Sequence, residues 1–215
     1  MNMIDTIKGS MLETFFPAGW DLQKIEACCA TPPDNALDRM PHWHPEFVTE
    51  ECEDVASFNM QMGYEIAKQI RRTRQENKKL ALILSVGPMG MYKWAVYFLK
   101  DWNCSCDHVW GFNMDEWSDA EGNTLPGDDP GAFQNAMEQS FYGPLGELTV
   151  PKSQRNFATK QNLPLYAEKI KSIKDGGGEL ITIYGIGRCF HIAFWEPHFA
   201  EDYSSIDEWK KDTHR

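Results

Sequence analysis

Residues 80–85 read LALILS, an unbroken apolar run between Lys78-Lys79 and the turn signal Gly87-Pro88. A strand with water on one face alternates apolar and polar side chains. A run without a polar break suits a strand covered on both faces, as in a parallel sheet. Two further segments read as strands, HVWGFNM (108–114), which ends at Asp115-Glu116, and ELITIYG (179–185). Between them lie helical patterns. From Val48 onward Val55, Phe58, Met62, Ile66 and Ile70 recur at three and four residues as one apolar stripe. Residues 91–102, 132–142 and 164–174 read as further helices, the last stopped by Asp175-Gly176-Gly177-Gly178. Strands alternating with helices predict an α/β fold with a doubly wound, mostly parallel, Rossmann-like sheet and flanking helices.

Residues 1–46 are punctuated by Pro17, Pro32-Pro33, Pro41 and Pro45 and carry Trp20 and Trp43. They read as an irregular arm with short helical turns at most, packing by its aromatics. The α/β domain is expected over 47–215.

The 32 acidic and 21 basic residues give a net charge of −11. That balance argues against non-specific nucleic-acid binding, which needs a basic footprint. It also repels phosphorylated molecules at long range, so any phosphate site must be built locally from backbone amides, helix N-termini or single cations. The basic cluster Arg71-Arg72-Thr73-Arg74 closes a helical pattern and reads as serving that C-terminus. No apolar run is long enough to span a bilayer, and MNMIDTIKGSMLETFF lacks the pattern of a secretory signal. A soluble cytoplasmic protein with no membrane partner is expected. The six cysteines (28, 29, 52, 104, 106 and 189) have no zinc-site spacing and are expected as free thiols. His42-Trp43-His44 lies between prolines and reads as a loop, so no metal site is expected.

Ligands of doubly wound sheets bind outside the carboxyl ends of the strands. Three such ends are visible: SVGPMG, DEW and GIGRCFH. At the second, Asp115 follows directly on an apolar strand, where partial shielding favours a raised pKa suited to proton transfer. Glu116 beside it adds to that effect if both side chains face inward, and both are otherwise solvated loop acids. At the third, His191 and Glu196 lie five residues apart, so the carboxylate can fix the imidazole tautomer. The alternative is a histidine satisfied by a backbone carbonyl. Gly185 and Gly187 permit close backbone approach to a ligand, but the full dinucleotide fingerprint is missing, which disfavours a nicotinamide enzyme.

Taken together, these segments resemble the glucosamine-6-phosphate deaminase/isomerase family. The resemblance rests on Phe112-Asn113-Met114-Asp115-Glu116-Trp117, on the stretch from Gly185 to Pro197 (GIGRCFHIAFWEP), and on Pro88-Met89-Gly90-Met91-Tyr92-Lys93. It covers roughly 80–197 in one order and spacing. It implies opening of an amino-sugar phosphate ring, proton transfer between C1 and C2, and release of ammonia to leave a ketose phosphate. The family's base falls on Asp115, the ring-opening histidine on His191 and the carboxylate orienting it on Glu196. Ser85, Gly87, Glu116, Gly185, Gly187, Arg188 and Cys189 fall around the substrate. No metal or organic cofactor is implied, and a homo-oligomer is expected by analogy.

Three departures from the family pattern stand out. Cys189 replaces an acid and Phe190 a glycine, which removes one acidic support from His191. Ser85-Val86-Gly87-Pro88 replaces Gly-Ser-Thr-Pro, so Val86 offers no side-chain donor. The family continues through a further βα portion beyond Glu196-Pro197, whereas this sequence ends at WKKDTHR. A sheet incomplete at that end leaves an edge and an apolar face for the arm, a partner chain or further polypeptide to cover. Three readings therefore stay open: an amino-sugar-phosphate isomerase/deaminase, a catalytically impaired homologue serving as a sugar-phosphate-binding or regulatory module, and an isomerase for another phosphosugar.

Overall fold

The computed structural model describes residues 5, 9, 21–30, 44–87, 89–187, 193, 203–205, 207 and 208. The chain divides into two units, Met1–Glu50 with Ile186–Arg215, and Glu51–Gly185. In the first unit, helix α1 (Leu22–Cys29) starts where the Asp21 carboxylate accepts from the amides of Gln23 and Lys24 at 3.1 and 3.0 Å. Ile25 on this helix is fully buried. A capped two-turn helix is more order than the proline-rich composition of residues 1–46 suggests.

The second unit is a parallel α/β sheet. Helix α2 (Val55–Gln75) begins at Asp54, whose carboxylate accepts from the Ser57 amide at 2.7 Å. It thus starts later than the pattern from Val48 suggests. Val55 is 74% exposed and Phe58 42%, so the first two positions of the expected stripe lie outside the core, which begins nearer Ile66, Ala67 and Ile70. Strand β1 (Leu80–Leu84) follows, then helix α3 (Gly90–Asp101), strand β2 (Val109–Asn113), and helix α4 (Phe133–Met137), which continues as a π-helical turn over Glu138–Tyr142. A two-residue strand β3 (Arg155–Asn156), helix α5 (Leu163–Asp175) and strand β4 (Glu179–Thr182) complete it.

The sheet order is β3-β2-β1-β4, with every pairing parallel. β1 is therefore central, as its continuous apolar run requires. Alternation sends Leu80, Leu82, Leu84 and Val109 to one face, where α2, α3 and the π-helical turn supply Ile66, Ile70, Tyr92, Leu99, Phe141 and Tyr142. Ala81, Ile83, Trp110 and Phe112 meet Tyr166, Ile170 and Ile173 of α5 on the other. Among the described residues β4 has no neighbour on its outer side, and Leu180 on the α5 face is exposed.

Charged ties gather at the amino ends of the strands. Glu179, at the start of β4, receives Arg72 at 2.5 Å and Lys78 at 2.8 Å. Arg74 bonds the Asp107 carboxylate and, at 3.1 Å, the Ser105 carbonyl. His108 Nε2 lies 3.0 Å from Thr73 Oγ1 and 3.1 Å from the Ile70 carbonyl. The basic end of α2 does serve its C-terminus, by stitching it to the strands it precedes.

Candidate active site

Because β2, β1 and β4 are neighbours, their carboxyl ends form one edge. Leu84 pairs with Asn113 and Ile83 with Thr182, and the ladders extend through Met114 N to Leu84 O and Ile183 N to Ile83 O. Ser85, Asp115 and Gly185 thus leave adjacent strands on the same side of the sheet. The convergence expected from three separate strand ends is present for these residues.

Ser85 is buried directly after β1. Its carbonyl accepts from the Tyr92 hydroxyl at 2.6 Å, while its Oγ has no hydrogen-bond partner among the described residues. Tyr92 comes from the first turn of α3, so this bond fixes how that helix leaves the loop. Gly87 has φ +142°, a conformation side-chain-bearing residues rarely adopt, and a Cβ there would meet nothing within 4 Å. Val86 packs against the main core, and the N-terminus of α3 carries no side-chain cap. The first turn of a helix leaves backbone amides without intrahelical partners.

Asp115 stands two residues beyond β2, partly buried, with its Oδ1 shielded from solvent. Its charge reaches two tyrosines, Tyr92 and Tyr166. Burial raises the Tyr92 hydroxyl pKa most, and the charges of Tyr142 and Asp115 add to the effect. Tyr166 shows the same ordering of burial, Tyr142 and Asp115, and its hydroxyl bonds the carbonyls of Asn156 at 2.8 Å and Asn113 at 3.1 Å. Three tyrosines from α3, the π-helical turn and α5 therefore lie close to the end of β2. The sequence shows Tyr92 only as part of a family motif and gives no sign of Tyr142 and Tyr166, because an aromatic residue at helical spacing reads as core, which each of these also is.

Glu116 takes a different position from its neighbour. Its Oε1 accepts from Trp117 N at 3.0 Å and Phe133 N at 2.9 Å, and its Oε2 accepts from Gln134 N at 2.8 Å. The carboxylate thus caps the start of α4 across the 118–130 loop, which holds the chain after Asp115 against the body of the domain. The pair of acids divides into one carboxylate committed to backbone amides and one beside the tyrosines.

Gly185 is partly buried, three residues beyond β4. Gly187 is half-buried in the other unit. Arg188, Cys189, His191 and Glu196 lie outside the described residues. Among the described residues no group of three or more His, Cys, Asp or Glu side chains is placed to hold a metal ion. Cys52, Cys104 and Cys106 are free thiols, with Cys106 pushed to a higher pKa chiefly by burial. Among the described residues no helix is long and apolar enough to cross a membrane.

No protein-family model matches the chain. Individual proteins do. A glucosamine-6-phosphate deaminase of Borrelia garinii subsp. bavariensis is 30% identical over 151 residues, covering 67% of this chain and 52% of the relative. One from Caenorhabditis elegans is 30% identical over 152 residues, covering 70% and 54%. The chain spans about half the length of the curated relatives it matches. A solved structure of a monomeric glucosamine-6-phosphate deaminase superposes with a TM-score of 0.53 at 21% identity, covering 67% of this chain and 57% of that one, a likeness of fold. A parallel sheet with its polar residues at three adjacent carboxyl ends, and sequence identity to these relatives, agree: the chain belongs to the glucosamine-6-phosphate deaminase family.

Proposed function

We propose that this protein converts an amino-sugar phosphate, glucosamine 6-phosphate, to fructose 6-phosphate and ammonia. The observation that carries the reading is the place of Asp115: a carboxylate two residues past β2, with a shielded oxygen, beside the ends of β1 and β4. Moving a proton between C1 and C2 next to a latent carbonyl needs one positioned carboxylate, which is Asp115's role. Ring opening needs a proton shuttle at the ring oxygen; His191 fills it, oriented by Glu196. The phosphate is received by the β1–α3 turn, through the backbone around Ser85 and Gly87 and the uncapped start of α3. The family resemblance assigns Gly185, Gly187, Arg188 and Cys189 to the sugar, and Glu116 holds its loop by accepting from backbone amides. The reading requires no metal or organic cofactor, and extends to a cytoplasmic homo-oligomer.

Ammonia release from glucosamine 6-phosphate tests it. Turnover by the wild type is expected, and Asp115→Asn is expected to lower kcat by at least about a hundredfold, the usual worth of a positioned acid–base group. Asp115→Asn at wild-type rate removes the assignment. A second reading follows from Val86, which turns into the core where a hydroxyl-bearing residue would donate to phosphate: a module that binds the sugar phosphate without turning it over. Calorimetric binding with no ammonia released would establish that reading instead.

A further inference from the structure

Helices α2 and α3 share an aromatic face that the sheet leaves uncovered. Tyr64 of α2 stands edge-on to Phe98 and Trp102 of α3, with ring centroids 5.3 and 5.9 Å apart. Tyr97 stands edge-on to Phe98 at 5.3 Å and to Trp94 at 5.9 Å. The five rings form one connected network. The helices close on Gly63, where an added Cβ would collide with Trp94 Cβ and the Met91 carbonyl. Tyr97 is 55% exposed, Met60 44% and Tyr64 41%, while Trp94, Phe98 and Trp102 are half-buried. An aromatic side chain buries about 150–250 Å² in full, so these exposed fractions come to about 400 Å² on one molecule. Two such faces set together remove about 800 Å². Flanking side-chain stems bring that close to the roughly 1,000 Å² a biological interface needs.

Charge selects the occupant. Lys93, Tyr97 and Asp101 lie four residues apart along α3, and all three are exposed. They form one ridge of the kind that packs most often between helices. Neither Lys93 nor Asp101 has a bonded opposite charge among the described residues. Each also stands where the dipole of α3 disfavours it, the lysine in the first turn from Gly90 and the aspartate as the last residue. The ridge is symmetric about Tyr97. A two-fold axis there, with the two helices antiparallel, sets Lys93 of each copy opposite Asp101 of the other. The same arrangement brings each charge to the end of the neighbouring helix that favours it.

We propose that this protein forms a two-fold dimer through the α2–α3 aromatic face, with Tyr97 on the axis and Lys93 paired to Asp101 of the second copy. The proposal gives a face to the homo-oligomer of the functional reading. Its test involves no turnover, so either can fail without the other.

Sedimentation velocity on the full-length protein between about 1 and 100 μM tests it. A monomer–dimer equilibrium is expected in that range, the weak end for an interface of this size. Tyr97→Glu is expected to weaken it at least about thirtyfold, the worth of a central aromatic anchor. Lys93→Asp and Asp101→Lys each set like charges opposite one another and are each expected to weaken it about tenfold. Both substitutions suit the dipole of α3 at their own positions, so both are expected to keep the wild-type melting temperature. Mixed in equal amounts, these two variants are expected to associate with one another as tightly as the wild type does, because a heterodimer restores both pairs. A wild type that stays monomeric at about 100 μM would leave the face to another occupant and overturn the proposal. A self-association that Tyr97→Glu leaves unchanged, or folded reversal variants that do not associate when mixed, would overturn it equally.

Discussion

Truncating Glu116 to alanine separates its role from that of Asp115. In the wild type one carboxylate accepts from three amides, Trp117 N at 3.0 Å, Phe133 N at 2.9 Å and Gln134 N at 2.8 Å. Alanine leaves all three donors without this partner. Helix α4 has only five α-helical residues before it widens into the π-helical turn, so little intrinsic stability opposes the loss. Hydrogen bonds to charged groups are worth about 1.5–3 kcal/mol each and measured caps about 0.5–2 kcal/mol in total. The site is partly exposed, and water replaces some of what is lost. A destabilisation of about 2 kcal/mol is expected, which for a chain of this size lowers the melting temperature by about 4–8 °C. Urea titration with a global fit of the unfolding slope measures it. Glu116→Gln, which keeps a neutral acceptor, is expected to lose about half as much. Glu116→Ala is expected to retain turnover below its own melting transition, whereas Asp115→Asn retains stability and loses turnover. A Glu116→Ala protein within about 0.5 kcal/mol of wild type, the range of ordinary surface substitutions, would refute the capping role.

Gly111→Ala drives a methyl group into the Tyr142 hydroxyl and is expected to cost about 1–3 kcal/mol by overpacking; combination with Tyr142→Phe is expected to restore part of it, measured by denaturant midpoints. Arg155 is nearly buried, bonds both Glu138 oxygens, the Val150 carbonyl and Thr149 Oγ1, and lies 4.8 Å over the Tyr142 ring. Arg155→Ala strands Glu138 and is expected to cost about 3 kcal/mol or more, whereas Glu138→Gln costs less, in the same assay. Arg72 first, and then Lys78, hold the Glu179 carboxyl down at about 2, below its ordinary 4.5. The sign follows: its stabilising contribution is complete above about pH 4.5 and is lost as the pH falls toward 2. Glu179→Gln is therefore expected to flatten stability against pH in that window, by an amount reduced by solvent because the pair is partly exposed.

The strands legible in the sequence are those rich in aliphatic, β-branched and aromatic residues. β1 and β2 are legible because both faces of each are covered, and β4 because its Ile181 and, just past its end, Ile183 meet the main core. β3 was not, since Arg155-Asn156 is two polar residues whose pairing to Gly111 and Phe112 depends on what lies beside them. The helical pattern at 132–142 gave no sign that the last turn would widen to the π form, in which Phe141 and Tyr142 are buried. The position of Asp115 just past a strand was legible, while its proposed role comes from the family resemblance. The commitment of Glu116 was not, because its partners Phe133 and Gln134 lie seventeen and eighteen residues away and no local pattern joins them. Asn113 reads as part of a signature, and only burial reveals that its carboxamide is sealed.

The clamps of Glu179, Arg72, Lys78, Arg74 and His108 all sit at the amino ends of the strands, on the opposite rim from Ser85, Asp115 and Gly185. That polarity has an evolutionary consequence. Among the described residues none of these clamps involves the turn after β1, so a substitution there is expected to cost the sheet little. Val86 in the β1–α3 turn is such a position: its side chain packs against the main core, so its identity bears on the proposed phosphate turn and not on the clamped rim. A family built this way can lose, retune or exchange its chemistry long before it loses its architecture.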